Sequence, residues 1–169
     1  MPEPERIVIN TAPLIAIVAA LGDLTVLPSL YTQVLVPFEV CQEILVGGSS
    51  GFAVMEFEAA SWLQKQPTPL TISPLLINSL DRGEAAVIQL AMNENIQTVC
   101  IDEVAGRRIA RLSGLSVTGS IGILLRAKRE GYPLSIQQAI SQMLNRGIRL
   151  SPTVINFALL QANEDDSEC

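Results

Sequence analysis

Residues 81–131 read DRGEAAVIQLAMNENIQTVCIDEVAGRRIARLSGLSVTGSIGILLRAKREG, and the way apolar residues recur in them decides the fold. Helical spacing over AAVIQLAMNEN gives way to the β-rich run IQTVCI. A second helix over EVAGRRIARL, the short run LSV and a third helix over SIGILLRAKREG follow. Short apolar runs that alternate with helices are the pattern of parallel βαβ units. The runs also end on chemically capable groups: Glu84 opens the first helix, Asp102 closes TVCI, and Thr118, Gly119 and Ser120 close LSV.

Each of these acids has an ordinary explanation. Asp81-Arg82-Gly83-Glu84 fits the D-x-x-E capping pattern, in which Asp81 accepts from the first free N–H groups and Glu84 reaches back. Asp102 fits equally well as the cap of the helix EVAGRRIARL. Gly114 and Gly131 mark the stops of the second and third helices.

Upstream, Arg6 leads into the β-branched run IVI, which ends at Asn10, and TAPLIAIVAAL then has helical spacing with Pro13 tolerated in its first turn. Asn10 is an N-cap candidate, and capping alone would account for it. GDLTVLPSL reads as a shorter helical piece interrupted by Pro28, and TQVLV as a second buried strand running into Pro37. The helix FEVCQEILV then places Glu39 and Glu43 four residues apart on one face, where an isolated pair is best read as solvated. GGSSG at 47–51 has the composition of a flexible loop and lacks the lysine of a phosphate-binding loop.

Phe52 to Leu63 is amphipathic and predicted helical, with Trp62 a packing residue. QPTPLTI, with two prolines, supplies at most a short edge strand, and SPLLINSL a brief helix. Downstream, LSIQQAISQML is a helix, RGIRL a short extended piece and SPTVINFALLQAN the last helix. Residues 1–5 are expected to be a disordered N-terminus, 6–163 one domain, and 164–169 an acidic tail.

Composition removes several function classes. The chain of 169 residues is 49% hydrophobic and 17% charged, enough apolar surface for one core. Only 4% is aromatic, which argues against an RNA-binding module that stacks bases on aromatic platforms. The formal charge of −6 sits mostly at the termini, so the body is nearly neutral. Its bases gather in the last third, at Arg107, Arg108, Arg111, Arg126, Lys128, Arg129, Arg146 and Arg149, and such a face can bind phosphate on an acidic protein. There is no histidine, which excludes Ser-His-Asp and Cys-His catalysis and every imidazole-ligated metal. Cys41, Cys100 and Cys169 have no CxxC spacing, which fits a reducing cytoplasm without a disulfide framework. MPEPER is not a signal peptide and no apolar run is long enough for the membrane, so a cytoplasmic location is expected.

Taken together, the polar groups share a geometry. Ligands of open parallel sheets bind outside the carboxyl ends of the strands, where Asn10 and Asp102 both fall. Glu43 and Glu84 lie in early turns of helices that can face the same edge. Gathered carboxylates repel unless a cation joins them, and hard oxygen ligands select Mg2+ or Mn2+. In a chain without histidine, metal-activated water attacking a phosphodiester is the chemistry that remains.

The segments IVINTAPLIAI, VLVPFEVCQEI, LDRGEAAVIQLA, VCIDEVAGRRIA and VTGSIGILLRAKREG, in this order and spacing, resemble the PIN domain, and within it the DUF3368 group of prokaryotic PIN-like proteins. The resemblance covers nearly the whole chain, from about residue 6 to 163. It implies a three-layer α/β/α sandwich with a parallel sheet and a metal-dependent ribonuclease built from acidic residues. Proteins of this kind commonly serve as toxins paired with a small antitoxin. By position, the family's acidic sites fall on Asn10, Glu43, Glu84 and Asp102, with Glu43, Glu84 and Asp102 the expected catalytic carboxylates. Thr118, Ser120, Arg107 and Arg108 are the expected contacts to RNA. Asn10 departs from the PIN pattern, which has aspartate there; an amide oxygen ligates Mg2+ but carries no charge and cannot act as a base.

Two functions of different class follow. One is a Mg2+- or Mn2+-dependent endoribonuclease acting on RNA. The other is a catalytically weakened PIN-like module for nucleic-acid binding or assembly. A dinucleotide-binding domain is weaker than either, because Asn10-Thr11-Ala12 follows the first strand where GxGxxG is needed. The apolar helices leave room for a homodimer face, although helices buried within one chain would look the same.

Overall fold

Four short apolar runs and the pair Gln64-Lys65 supply the strands of a single sheet. The computed structural model describes residues 5–46 and 51–163. The strands are β1 (Arg6–Ile9), β2 (Gln33–Val36), β3 (Gln64–Lys65), β4 (Thr98–Cys100) and β5 (Ser116–Thr118). They are all parallel, in the order β3-β2-β1-β4-β5. Parallel strands covered on both faces need continuous hydrophobic runs, and Ile7, Val8 and Ile9 of the central strand are each fully buried.

Ten helices are found among the described residues: α1 (Thr11–Leu21), α2 (Val26–Leu30), α3 (Phe38–Leu45), α4 (Val54–Ala59), α5 (Pro74–Ser79), α6 (Arg82–Asn93), α7 (Val104–Leu112), α8 (Ser120–Arg129), α9 (Ile136–Asn145) and α10 (Pro152–Ala162). They flank the sheet to give the expected three-layer α/β/α sandwich. Helix α6 lies against β1 and β4, and its run from Gly83 to Ile88 is buried throughout, as its apolar composition requires. A second core forms where α1, α8, α9 and α10 meet. There the small residues Ala16, Ala19 and Ala20 of α1 allow close approach to Ile136, Ile140 and Met143 of α9. No helix among the described residues is long and apolar enough to cross a membrane.

The structure differs from the sequence reading at several points: Glu39 is buried and its Oε2 accepts from Leu70 N at 2.9 Å, so it is not the solvated residue expected, and α2 runs through Pro28 without interruption. Of the predicted helix over 52–63 only Val54–Ala59 is helical. The chain then turns so that Gln64 and Lys65 pair with Leu35 and Val36, and Lys65 Nζ donates to the Phe57 carbonyl at 2.9 Å near the end of the shortened helix. The edge strand thus lies just before QPTPLTI, not within it. Gln66 N donates to Val36 O at 2.9 Å as the last bond along this edge, and Pro67 and Pro69 have no N–H to extend it. RGIRL forms no strand: Gly147 turns the chain at φ +84°, and Ile148 and Leu150 are held by packing on the second core. Residues 1–4 of the expected disordered N-terminus, most of the GGSSG loop and the acidic tail with Cys169 lie outside the described residues, while the Glu5 carbonyl accepts from Thr32 N at 2.8 Å.

Candidate functional site

The strand order makes a switch point. From β1 the chain first crosses to β2 on one side and later returns to β4 on the other, which opens a crevice at the carboxyl ends of these two central strands. Ile9 pairs with Cys100, and the ladder continues as Asn10 N donates to Cys100 O at 3.0 Å. Asn10 therefore leaves β1 beside the segment that carries Asp102 away from β4.

Asn10 occupies the N-cap position of α1, yet its side chain makes no capping hydrogen bond. The residue is 5% exposed and its Oδ1 is buried without a hydrogen-bond partner. Capping therefore does not account for this residue. Its neighbour Thr11, which the sequence reading did not single out, donates from Oγ1 to Glu43 Oε2 at 2.8 Å. That bond ties the start of α1 to α3. Glu43 itself stays exposed to solvent. Partial burial of its carboxyl, and the charge of Asp81, raise its pKa against the Thr11 and Gly83 hydrogen bonds that lower it.

At the start of α6, Asp81 Oδ1 accepts from Glu84 N at 2.9 Å, so the Asp81 half of the capping box forms as predicted. The Glu84 side chain is buried, and its Oε2 has no partner. Burial, a hydrogen bond to Asp81 and the charges of Asp81, Glu103 and Glu43 push its pKa up to about 8. Among the described residues no arginine or lysine forms an ion pair with Glu43, Glu84 or Asp102.

Three glycines make room for these carboxylates. A Cβ on Gly83 would strike Glu43 Oε1, and one on Gly106 of α7 would strike Glu84 Oε2. A Cβ on Gly119 would come within 2.7 Å of Asp102 Oδ1 and 2.8 Å of Arg107 Nη1. The glycines stand in the motifs DRGE, EVAG and TGS, so their closeness to the acids in sequence was the available signal. What they contact was not readable there.

Asp102 is not the cap of α7. That position belongs to Glu103, which makes no capping bond with its side chain. Asp102 Oδ1 instead accepts from Ser120 N at 2.8 Å and so satisfies the first N–H of α8. Burial raises its pKa, against the opposing effects of Ser120 and the Arg107 guanidinium. Arg107 Nη1 donates to Ile101 O at 2.9 Å, so this arginine is fixed beside Asp102. Thr118, Ser120, Arg107 and Asp102 all line a cleft of ≈ 590 Å³ that extends to α10, and Arg108 does not.

Of the four sequence-predicted ligands, Glu43 and Glu84 are drawn together with Asp81 around the start of α6. Asn10 stands at the end of the central strand, and Asp102 sits with Arg107 and Ser120 at the mouth of the cleft. No three of the described acids and cysteines converge into a group that could hold a metal ion. The four residues thus share the carboxyl edge without closing into one ligand shell as they stand.

A family model, DUF3368, described as a PIN domain, matches residues 6–164. No curated protein matches the chain.

Proposed function

The chain belongs to the DUF3368 family of PIN domains, and from that premise we propose that it is a Mg2+- or Mn2+-dependent endoribonuclease. The family supports a nuclease-like fold and a nucleic-acid substrate, and PIN domains generally use divalent metal ions. The observation that carries the reading is that two of the candidate ligands keep a buried oxygen without a partner among the described residues, Asn10 Oδ1 at the end of β1 and Glu84 Oε2 near the start of α6; a third such oxygen, Glu39 Oε1, belongs to a carboxylate whose other oxygen accepts from Leu70 N. A buried polar atom costs about 1–3 kcal/mol when unsatisfied, a cost that a cation bound by Asn10 and Glu84 would offset.

The residues fit a hard divalent cation by chemistry: oxygen donors only, crowded carboxylates, and no cationic side chain paired with them. With fewer than three carboxylates converging, they suit an ion that keeps several waters, as Mg2+ does. Glu43 and Glu84 with the Asn10 amide would hold it, and Asp102 would share it or a second ion. When bound, such an ion supplies activated water and offsets charge on the phosphodiester. The protein's own contribution is positional. Thr11 fixes the Glu43 carboxylate, Asp81 anchors the turn that presents Glu84, and Ser120 N–H with Arg107 orients Asp102. Arg107, Thr118 and Ser120 would face the RNA, although the Ser120 N–H is already engaged by Asp102. A role as a toxin restrained by a small antitoxin belongs to the same proposal and rests on the family resemblance, and a cytoplasmic setting rests on the cysteine spacing.

The test is cleavage of single-stranded RNA by purified protein with Mn2+. The expected result is cleavage that Glu84→Gln and Asp102→Asn each abolish; undiminished cleavage by both variants would sink the assignment. Two observations among the described residues favour the second reading, a weakened module that binds RNA without cutting it. Asn10 brings no charge to the crevice, and no three acids converge there. That reading requires no cleavage by the native protein under any divalent cation.

A further inference from the structure

The cleft beside Asp102 is largely apolar, with charged groups at two places. Asp102, Arg107 and Thr118 line it together with Val104 and Val117 at the sheet edge, and Arg149 lines it together with Val154 and Phe157 towards α10. Phe157 is 54% exposed and Val154 38%, on a helix that buries Ala158. Arg149 is exposed and has no carboxylate within ion-pair distance among the described residues. In contrast, Arg126 is held by Glu5 and Glu130, and Arg146 lies over the Phe52 ring at 4.5 Å. An open cleft with an unpaired guanidinium and an aromatic face at one end matches the two halves of a nucleotide, a planar base and a phosphate. Its volume, ≈ 590 Å³, lies within the usual range for small-ligand sites, about 300–1,000 Å³.

We propose that this cleft is a nucleotide subsite, which seats one residue of a single-stranded RNA next to the carboxylates, with its base on Phe157 and its phosphate at Arg149. The proposal rests on the ribonuclease reading for the identity of the polymer. It adds Phe157, which neither the sequence reading nor the family match assigns, and singles out Arg149 from the bases of the last third. A peptide carrying an acidic group and apolar side chains is the alternative occupant. The nucleotide is favoured because the cleft is continuous with Asp102: a strand seated in it runs directly into the proposed site of cleavage, whereas a peptide there would gain nothing from that continuity.

The experiment is fluorescence anisotropy of a labelled single-stranded RNA hexamer, in EDTA so that nothing is cleaved, at several salt concentrations. Phe157→Ala is expected to weaken binding by about 5- to 100-fold, from the loss of one stacked base. Phe157→Tyr is expected to retain it. Arg149→Gln is expected to weaken binding and to lower the slope of log affinity against log salt by about 0.7, the value of one phosphate contact on a single strand. Unchanged affinity in Phe157→Ala overturns the proposal in favour of a peptide groove, and an unchanged salt slope in Arg149→Gln overturns the phosphate assignment. No measurable RNA binding by the native protein overturns both. The ribonuclease reading fails on a different result, absence of cleavage with Mn2+, and Phe157-dependent binding would survive that failure.

Discussion

Replacing Glu84 with glutamine should stabilise the metal-free protein strongly at pH 8 and only slightly at pH 5. The carboxyl is buried beside Asp81, Glu103 and Glu43, and its pKa is pushed from 4.5 to about 8. Between those values the folded protein holds a proton that the unfolded chain has released, so stability falls as pH rises through this window and levels off above it. Each pH unit inside the window costs about 1.4 kcal/mol. The cost is therefore about 1 kcal/mol at pH 5 and about 4 kcal/mol at pH 8, and glutamine removes it at both.

Glutamine keeps the shape of the side chain and leaves the backbone bond from residue 84 to Asp81 in place, so the capping of α6 is not disturbed. For a chain of this size, about 1 kcal/mol moves Tm by about 2–4 °C. The excess Tm of Glu84→Gln over the native protein should then grow by roughly 6–12 °C between pH 5 and pH 8, measured in EDTA. Asp102 is also raised, but it is common to both proteins and cancels in the difference, whereas Glu43 and Asp81 act on Glu84 through their charges and are part of the effect measured. A difference in Tm that is the same at both pH values would refute the reasoning, because it would mean that Glu84 ionises normally in the fold.

Gly106→Ala should destabilise the fold by about 1–3 kcal/mol in urea denaturation, since the new methyl meets Glu84 Oε2 and lies 2.9 Å from Ile101 Cγ2 in a packed layer. Asn10→Asp should lower stability without metal at neutral pH, by adding a buried charge that has no partner. It should also enlarge the rise in Tm that Mn2+ produces, because ligand binding to the native state alone raises Tm and a carboxylate binds the ion more tightly than an amide. An Asn10→Asp variant with no greater Mn2+ response than the native protein would place Asn10 outside the metal's reach.

The sheet and the position of its chemical edge were legible because they depend on local patterns. The runs IVI, QVLV and TVC are too short and too apolar for anything but buried parallel strands, and each is followed by a helix. That placed Asn10 and Asp102 at carboxyl ends from the sequence alone. The roles of the acids were less legible, because a capping motif states only that a side chain can reach a helix end. Asp81 does so, Asn10 occupies the position without making the bond, and Asp102 caps a helix that starts eighteen residues later, across β5. That last contact depends on β4 pairing with β5 in the register Cys100↔Thr118, a non-local fact. The predicted helix over 52–63 failed for a related reason. Pairing of Gln64 and Lys65 with β2 competes with helix propensity, and the sequence of the helix alone does not record that competition.

Electrostatics connects the two unusual features of the crevice. A buried edge that gathers carboxylates without a permanent cation must limit the charge it carries when empty. Glu84 does this by keeping its proton up to about pH 8, and Asn10 does it by having no charge to keep. An aspartate at position 10 would add a further like charge to the burial and repulsion that already raise Glu84. An amide at position 10 thus suits the metal-free fold, and under the proposed function it would weaken the hold on a divalent ion. The balance between these two effects separates the two proposed readings, a crevice that would cut RNA and one that would only bind it.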